Sequence, residues 1–150
     1  MRTLVKTATA VTVTAVVGGL ATDPDSRWYA RLRKPAWQPP GSAFPLVWTP
    51  LYGLIAYAGA RALDRDPRGF GRALAVNLML NGLWTPLFFA ARRPRLALAD
   101  VAALNLSNLS LVRRAWRVDR RAGALLVPYA GWTLFAAALN TAIVRRNPDA

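Results

Sequence analysis

The chain has 150 residues, 54% of them apolar, with twenty Lys and Arg against seven acids, all of them Asp, for a formal charge of +13. It contains neither His nor Cys, which excludes disulfides, thiol catalysis and the usual zinc sites. The basic residues sit in short clusters between long uncharged runs, the placement expected at a bilayer surface, and this argues against nucleic acid as a partner.

Crossing the hydrocarbon takes ~20 apolar residues in a helix. Runs free of Lys and Arg, and of Asp with one exception, each flanked by basic residues, predict five spans that take in some of those flanks, at about residues 5–22, 45–62, 72–91, 96–113 and 121–145. The expected fold is thus an all-α membrane protein, a five-transmembrane-helix bundle in a single domain over 1–150. In the first span, Arg2 and Lys6 precede an apolar core ending in Gly19-Leu20-Ala21. A cleavable secretory signal has this form, but so does a packed first helix whose small side chains let backbones approach; we take it as a span.

The connection over about 23–44 is rich in Pro and aromatic residues and is expected to be structured. Asp25 or Ser26 can cap a short helix through Arg33, after which Lys34-Pro35 and Pro39-Pro40 force extended backbone. In the second span Trp48 lies early and Pro50 follows it; in the third, Asn77 and Asn81 share one face, with Trp84 and Pro86 beyond. The fourth span holds Asp100, the one acid within any span, for which a basic loop residue is the expected partner, and the pair Asn105 and Asn108. The fifth holds Pro128 and Trp132. The later connections, around 64–72, 92–95 and 113–121, are short, so sequential antiparallel packing of neighbours is expected. Eleven basic residues fall on the N-terminal side and nine on the other, which leans towards a cytoplasmic N-terminus without fixing it.

Among the six Trp, Trp116 fits an interfacial belt, whereas Trp48, Trp84 and Trp132 lie deep enough that their N–H groups need a partner in the bundle or in a ligand. The span Asn residues are read as interhelical hydrogen bonds, Asn81 also as a ligand contact because it lies one turn from Trp84. Prolines that kink helices open space between them, so an aromatic cavity beneath the first loop is expected, suited to a flat apolar ligand with a polar edge. Arg27, Arg31, Arg33 and Lys34 at its rim can pair with ligand carboxylates or with lipid phosphates. No nucleophile stands beside an evident base, and no metal-ligand set is present.

These residues also carry a family pattern. Trp28-Tyr29, Lys34-Pro35-x-Trp37-x-Pro39-Pro40, Phe44-x-x-Val47-Trp48 and Leu51-Tyr52 resemble the first loop and second helix of the TspO/MBR family of tryptophan-rich sensory proteins and translocator proteins. Leu80-Asn81-x-x-Trp84-x-Pro86-x-Phe88-Phe89, Ala97-Leu98-x-Asp100 and Pro128-Tyr129-x-x-Trp132-x-x-Phe135-Ala136-x-x-Leu139-Asn140 continue the resemblance over nearly the whole chain. It implies a pocket under the first loop that takes porphyrin or haem as ligand, with no required cofactor. Position by position, the ligand-binding residues would be Trp28, Tyr29, Pro40, Trp48, Asn81, Trp84, Phe88, Trp132, Ala136 and Leu139. It further implies a homodimer; membrane lipid is expected around the spans, and the Arg- and Ala-rich composition points to a bacterium, with the cell membrane as the expected location. The family's proposed sterol motif needs a Tyr, and the run Leu139 to Arg145 has none.

The leading expectation is a membrane protein that senses, buffers or transports tetrapyrroles. The alternatives are a light- and oxygen-dependent porphyrin-degrading enzyme, for which Trp48 and Trp132 would be the radical partners, and a structural or partner-binding membrane protein.

Overall fold

In hydrocarbon a segment must pair every backbone N–H and C=O within itself, so long uncharged runs have little alternative to the helix. A computed structural model describes all residues 1–150. It contains α1 (Arg2–Ala21), a short α2 (Arg27–Arg31), α3 (Ala43–Leu63), α4 (Gly69–Thr85) with a π-helical turn (Pro86–Ala90) at its end, α5 (Pro94–Val118) and α6 (Arg120–Arg146). Five of these, with α4 and its π turn taken as one, are long and apolar enough to cross a membrane.

The fourth and fifth long helices leave almost no loop between them. Arg113, Arg114 and Arg117, expected in a connection, instead continue α5 to Val118, since Arg is a good helix former and its long side chain reaches the surface from the last turns. The connection is Asp119 alone. Its extended backbone turns the chain, and its carboxylate accepts hydrogen bonds from the Arg121 and Ala122 amides at 2.9 and 3.4 Å, capping α6. The same carboxylate meets Arg61 Nε at 2.8 Å and Arg65 Nη1 at 2.9 Å, tying the end of α3 to this corner. Burial alone would push the Asp119 carboxyl up, but the two amide donors and the two guanidinium groups outweigh it and hold it below the ordinary carboxylate range.

Around the bundle the neighbours run α1, α3, α6, α5, α4 and back to α1. The expectation of sequential packing therefore fails at one place: α3 and α4 touch little, and α1 packs against both. Small residues make room for it. Thr7 Oγ1 donates to the Ala56 carbonyl at 2.8 Å, and a Cβ on Gly59 would come within 3.4 Å of Thr7 Cγ2 and 3.2 Å of Leu74 Cδ2. On the α4 side, Gly82 faces Thr14 and Gly18 faces Thr85. The first helix thus packs into the bundle through Thr7, Val11 and Thr14.

The core splits into two parts. The larger, towards the N-terminal side, is built on Ile55, Ala58, Phe70, Leu111, Ala115 and Leu126; the smaller, beneath the first loop, on Leu32, Phe88, Ala97, Leu139 and Ile143. Outward faces carry exposed apolar side chains such as Leu20, Leu46, Met79, Leu106 and Leu134, as a surface bathed by acyl chains should.

Pro86 lacks the N–H that an α-helix would use, and the chain adapts by widening: Ala91 N donates to Pro86 O at 2.8 Å in the π pattern. Arg92 then leaves the helix with a φ of 54°, a left-handed conformation that side chains seldom adopt. The Pro thus produces a wide turn that carries Phe88 and Phe89 beneath the loop, rather than a simple kink.

Candidate functional site

The loop between α1 and α3 is folded as its sequence suggests. Ser26 caps α2, its Oγ accepting from Tyr29 N at 3.3 Å, although the helix ends at Arg31 and not at Arg33. Lys34 then reaches back, its ammonium donating to the Tyr29 carbonyl at 2.6 Å and lying 4.2 Å from the Tyr29 ring centroid. Gln38 Nε2 donates to the Tyr29 hydroxyl at 2.8 Å, leaving its Oε1 buried without a donor. Asn147 fastens the loop from beyond α6: its Oδ1 accepts from Arg33 N at 2.9 Å and its Nδ2 donates to Arg33 O at 3.0 Å. Lys34 is therefore a brace of the loop rather than a free rim charge; Arg27, Arg31 and Arg33 remain exposed at the rim.

Beneath the loop the rings form three groups. Phe88, fully within the π turn, stacks on Trp84 with centroids 5.4 Å apart and meets Trp28 edge-on at 5.6 Å and Tyr29 at 6.3 Å. Leu139 packs in the same small core. On α6, Trp132 stacks on Phe135 at 5.1 Å, with Phe44 and Trp37 edge-on to this pair. On α3, Trp48 stacks on Tyr52 at 5.1 Å and faces Tyr129 at 6.2 Å. Eight of the ten expected binding residues thus lie in or beside these groups. Ala136 is half-buried one turn beyond Trp132, and Pro40 lies exposed where the loop descends, its carbonyl accepting from Ala43 N at 2.9 Å.

The rings expected to line a cavity under the loop lean on one another in pairs. Two surface grooves of about 290 and 260 Å³ open elsewhere, one along α5 and one between α3 and α6, and neither reaches these rings. Trp84 spends its indole N–H on Asn140 Oδ1 at 3.0 Å. Trp48 and Trp132, both half-buried, make no such bond within the chain, and neither do Trp28 and Trp37 of the same cluster, so these indole donors are unpaired.

Below the rings lies a continuous polar chain. Tyr52 hydroxyl donates to Asn81 Oδ1 at 3.3 Å; Asn81 Nδ2 donates to the Tyr129 hydroxyl at 2.8 Å, which donates to Asn77 Oδ1 at 2.8 Å. Asn77 Nδ2 continues to Asn108 Oδ1 at 2.7 Å and Ser107 Oγ at 3.0 Å. Asn108 Nδ2 donates to Thr133 Oγ1 at 2.8 Å, whose hydroxyl donates to Asn105 Oδ1 at 2.9 Å. The interhelical role expected for Asn77, Asn105 and Asn108 is met, and Asn81 shares it. Asn81 keeps one amide hydrogen and one oxygen lone pair uncommitted. Tyr52 and Tyr129, named from sequence only within the family pattern, and Thr133, not named at all, complete the chain; Tyr129 and Thr133 stand four apart on one face.

Asp100 departs from expectation. It is only 7% exposed, so it faces protein as its cost in lipid demands, but no basic residue meets it and its Oδ2 has no partner. Both ion pairs of the protein go to Asp119. Arg95, in the first turn of α5, donates instead to the Pro148 carbonyl.

A profile of the TspO/MBR family matches residues 7–146. The chain is 40% identical over 132 residues to a tryptophan-rich sensory protein of Cereibacter sphaeroides, covering 86% of this chain and 82% of that one. It is 37% identical over 126 residues to Protein CrtK of Rhodobacter capsulatus, with 81% and 79% covered. Over 127 residues it is 35% identical to the translocator protein of Sus scrofa, with 80% and 75% covered. Five membrane-length helices, a braced aromatic loop and a match along nearly the whole chain lead to one statement: this protein belongs to the TspO/MBR family.

Proposed function

We propose that the loop-side aromatic cluster binds a tetrapyrrole, porphyrin or haem, and that the protein senses, buffers or transports it. The observation that carries this reading is a set of flat rings with unpaired indole donors, Trp48 and Trp132 among them, in a protein otherwise sheathed in apolar side chains. A tetrapyrrole offers broad π faces for stacking and carboxylates at its edge for the indole N–H groups and for Arg27, Arg31 or Arg33. Because the rings pack on one another, entry requires them to part and the loop to lift. The braces at Lys34, Gln38 and Asn147 set the cost of that opening.

Titrating purified protein with protoporphyrin IX and following Trp fluorescence tests the reading. Saturable quenching is expected, with affinity roughly 10-fold weaker in the double variant Trp48→Phe/Trp132→Phe, the loss of one charge-assisted hydrogen bond or more. Quenching without saturation, or unchanged in the double variant, would refute it. A degradative reading draws on the stack of Trp48 on Tyr52 beside Tyr129, an aromatic series able to carry a radical. Under light and oxygen, it requires substoichiometric protein to convert many equivalents of porphyrin. Equal loss with and without protein removes it.

A further inference from the structure

The groove along α5 lies away from the aromatic cluster and owes nothing to porphyrin. Its volume is about 290 Å³, and it is lined by Leu106, Leu109, Ser110, Arg113, Arg114 and Arg117. Along the helix these residues are ordered by chemistry. Leu106 and Leu109 are 72% and 49% exposed and come first; the arginines follow on the last turns. At ~1.5 Å per residue, Arg113 lies roughly 10 Å nearer the helix end than Leu106. Trp116, 47% exposed between the arginines, marks the depth where an indole sits among headgroups.

The charge here is unbalanced. Asp119, the acid next in sequence, is committed to Arg61 and Arg65 on the other side of the corner. Of the groove arginines only Arg114 has a partner, its Nε donating to Ser110 Oγ at 3.3 Å, which orients it along the groove without neutralising it. Three guanidinium groups over an apolar strip call for an anion that carries its own hydrocarbon.

We infer that this groove is a binding site for an anionic phospholipid, its phosphate held by Arg113, Arg114 and Arg117 and an acyl chain lying along Leu106 and Leu109. A neutral headgroup places a choline or ethanolamine cation beside the arginines and is disfavoured by the same charges that hold phosphatidylglycerol. A soluble phosphate lacks the chain that the leucine strip receives.

The test is native mass spectrometry of detergent-purified, delipidated protein titrated with phosphatidylglycerol or with phosphatidylcholine of the same acyl chains. Phosphatidylglycerol is expected to be retained preferentially. In Arg113→Gln/Arg114→Gln/Arg117→Gln its affinity should fall by about five-fold per arginine, roughly 100-fold in all. A triple variant of equal charge on the same membrane side, Arg2→Gln/Arg68→Gln/Arg72→Gln, should retain it. Helix content and a monodisperse elution profile establish that each variant is folded, and Arg113→Lys/Arg114→Lys/Arg117→Lys, which keeps the charge, should recover most of the affinity. Equal binding of the two lipids, equal loss in both Gln variants, or displacement by millimolar glycerol phosphate would overturn the assignment.

Discussion

Two polar-aromatic regions lie one above the other in this bundle, and they use the same residue types to opposite ends. In the lower, every side chain from Tyr52 to Asn105 has found a partner on another helix, and Tyr129, Asn77 and Asn108 are essentially shut off from solvent. In the upper, rings lean on rings, Trp48 and Trp132 keep free donors, and the loop above is held by a few hydrogen bonds at its edges. A satisfied buried network fixes which helices meet and in what register, and has little left to offer a ligand. Recognition needs the reverse, apolar faces with spare polar capacity. Tyr52 and Tyr129 belong to both regions, since Trp48 stacks on Tyr52 and meets Tyr129 above while both hydroxyls are committed to the network below.

If this division is right, substitutions should separate by region. The largest effect on stability is expected for Asn77→Leu, which strips partners from the Tyr129 hydroxyl and from Asn108 inside the bundle. Thermal melting in detergent should show a loss of about 2 kcal/mol, near the upper end for hydrogen bonds between membrane helices. Trp84→Phe keeps an aromatic ring on Phe88 but abandons Asn140; a loss of about 1 kcal/mol is expected by the same measurement. Trp132→Phe breaks no bond within the chain, so its melting should shift by less than ~0.5 kcal/mol while protoporphyrin affinity falls several-fold. A Trp132→Phe protein as destabilised as Asn77→Leu would erase the distinction between the regions.

Much of this was legible in the sequence. Hydropathy and the charge clusters located the five spans, because lipid leaves little alternative to the helix, and the spaced Trp, Pro and Asn residues located the aromatic region and its loop. The i, i+4 spacing of Asn77 and Asn81 placed both on one face, and both indeed point into the bundle. Asp119 was less accessible: a single acid amid five arginines reads as a loop charge, and although its cap on α6 is local, its role as ion-pair hub depends on Arg61 and Arg65, more than fifty residues earlier.

What the sequence determined by itself, then, is what depends on local pattern: helix, span, cap and the depth of each indole. The tertiary structure alone decided which helices adjoin, that α1 packs against both α3 and α4, and that Asn147 holds Arg33 across 114 residues of chain. It also decided that Asp100 has no cation and that the expected cavity is lined by touching rings. Lipid dictates secondary structure residue by residue, but it supplies no hydrophobic drive to choose between one apolar helix and another. That choice falls to small-residue contacts and to donor–acceptor pairs, which become visible only once the helices are side by side.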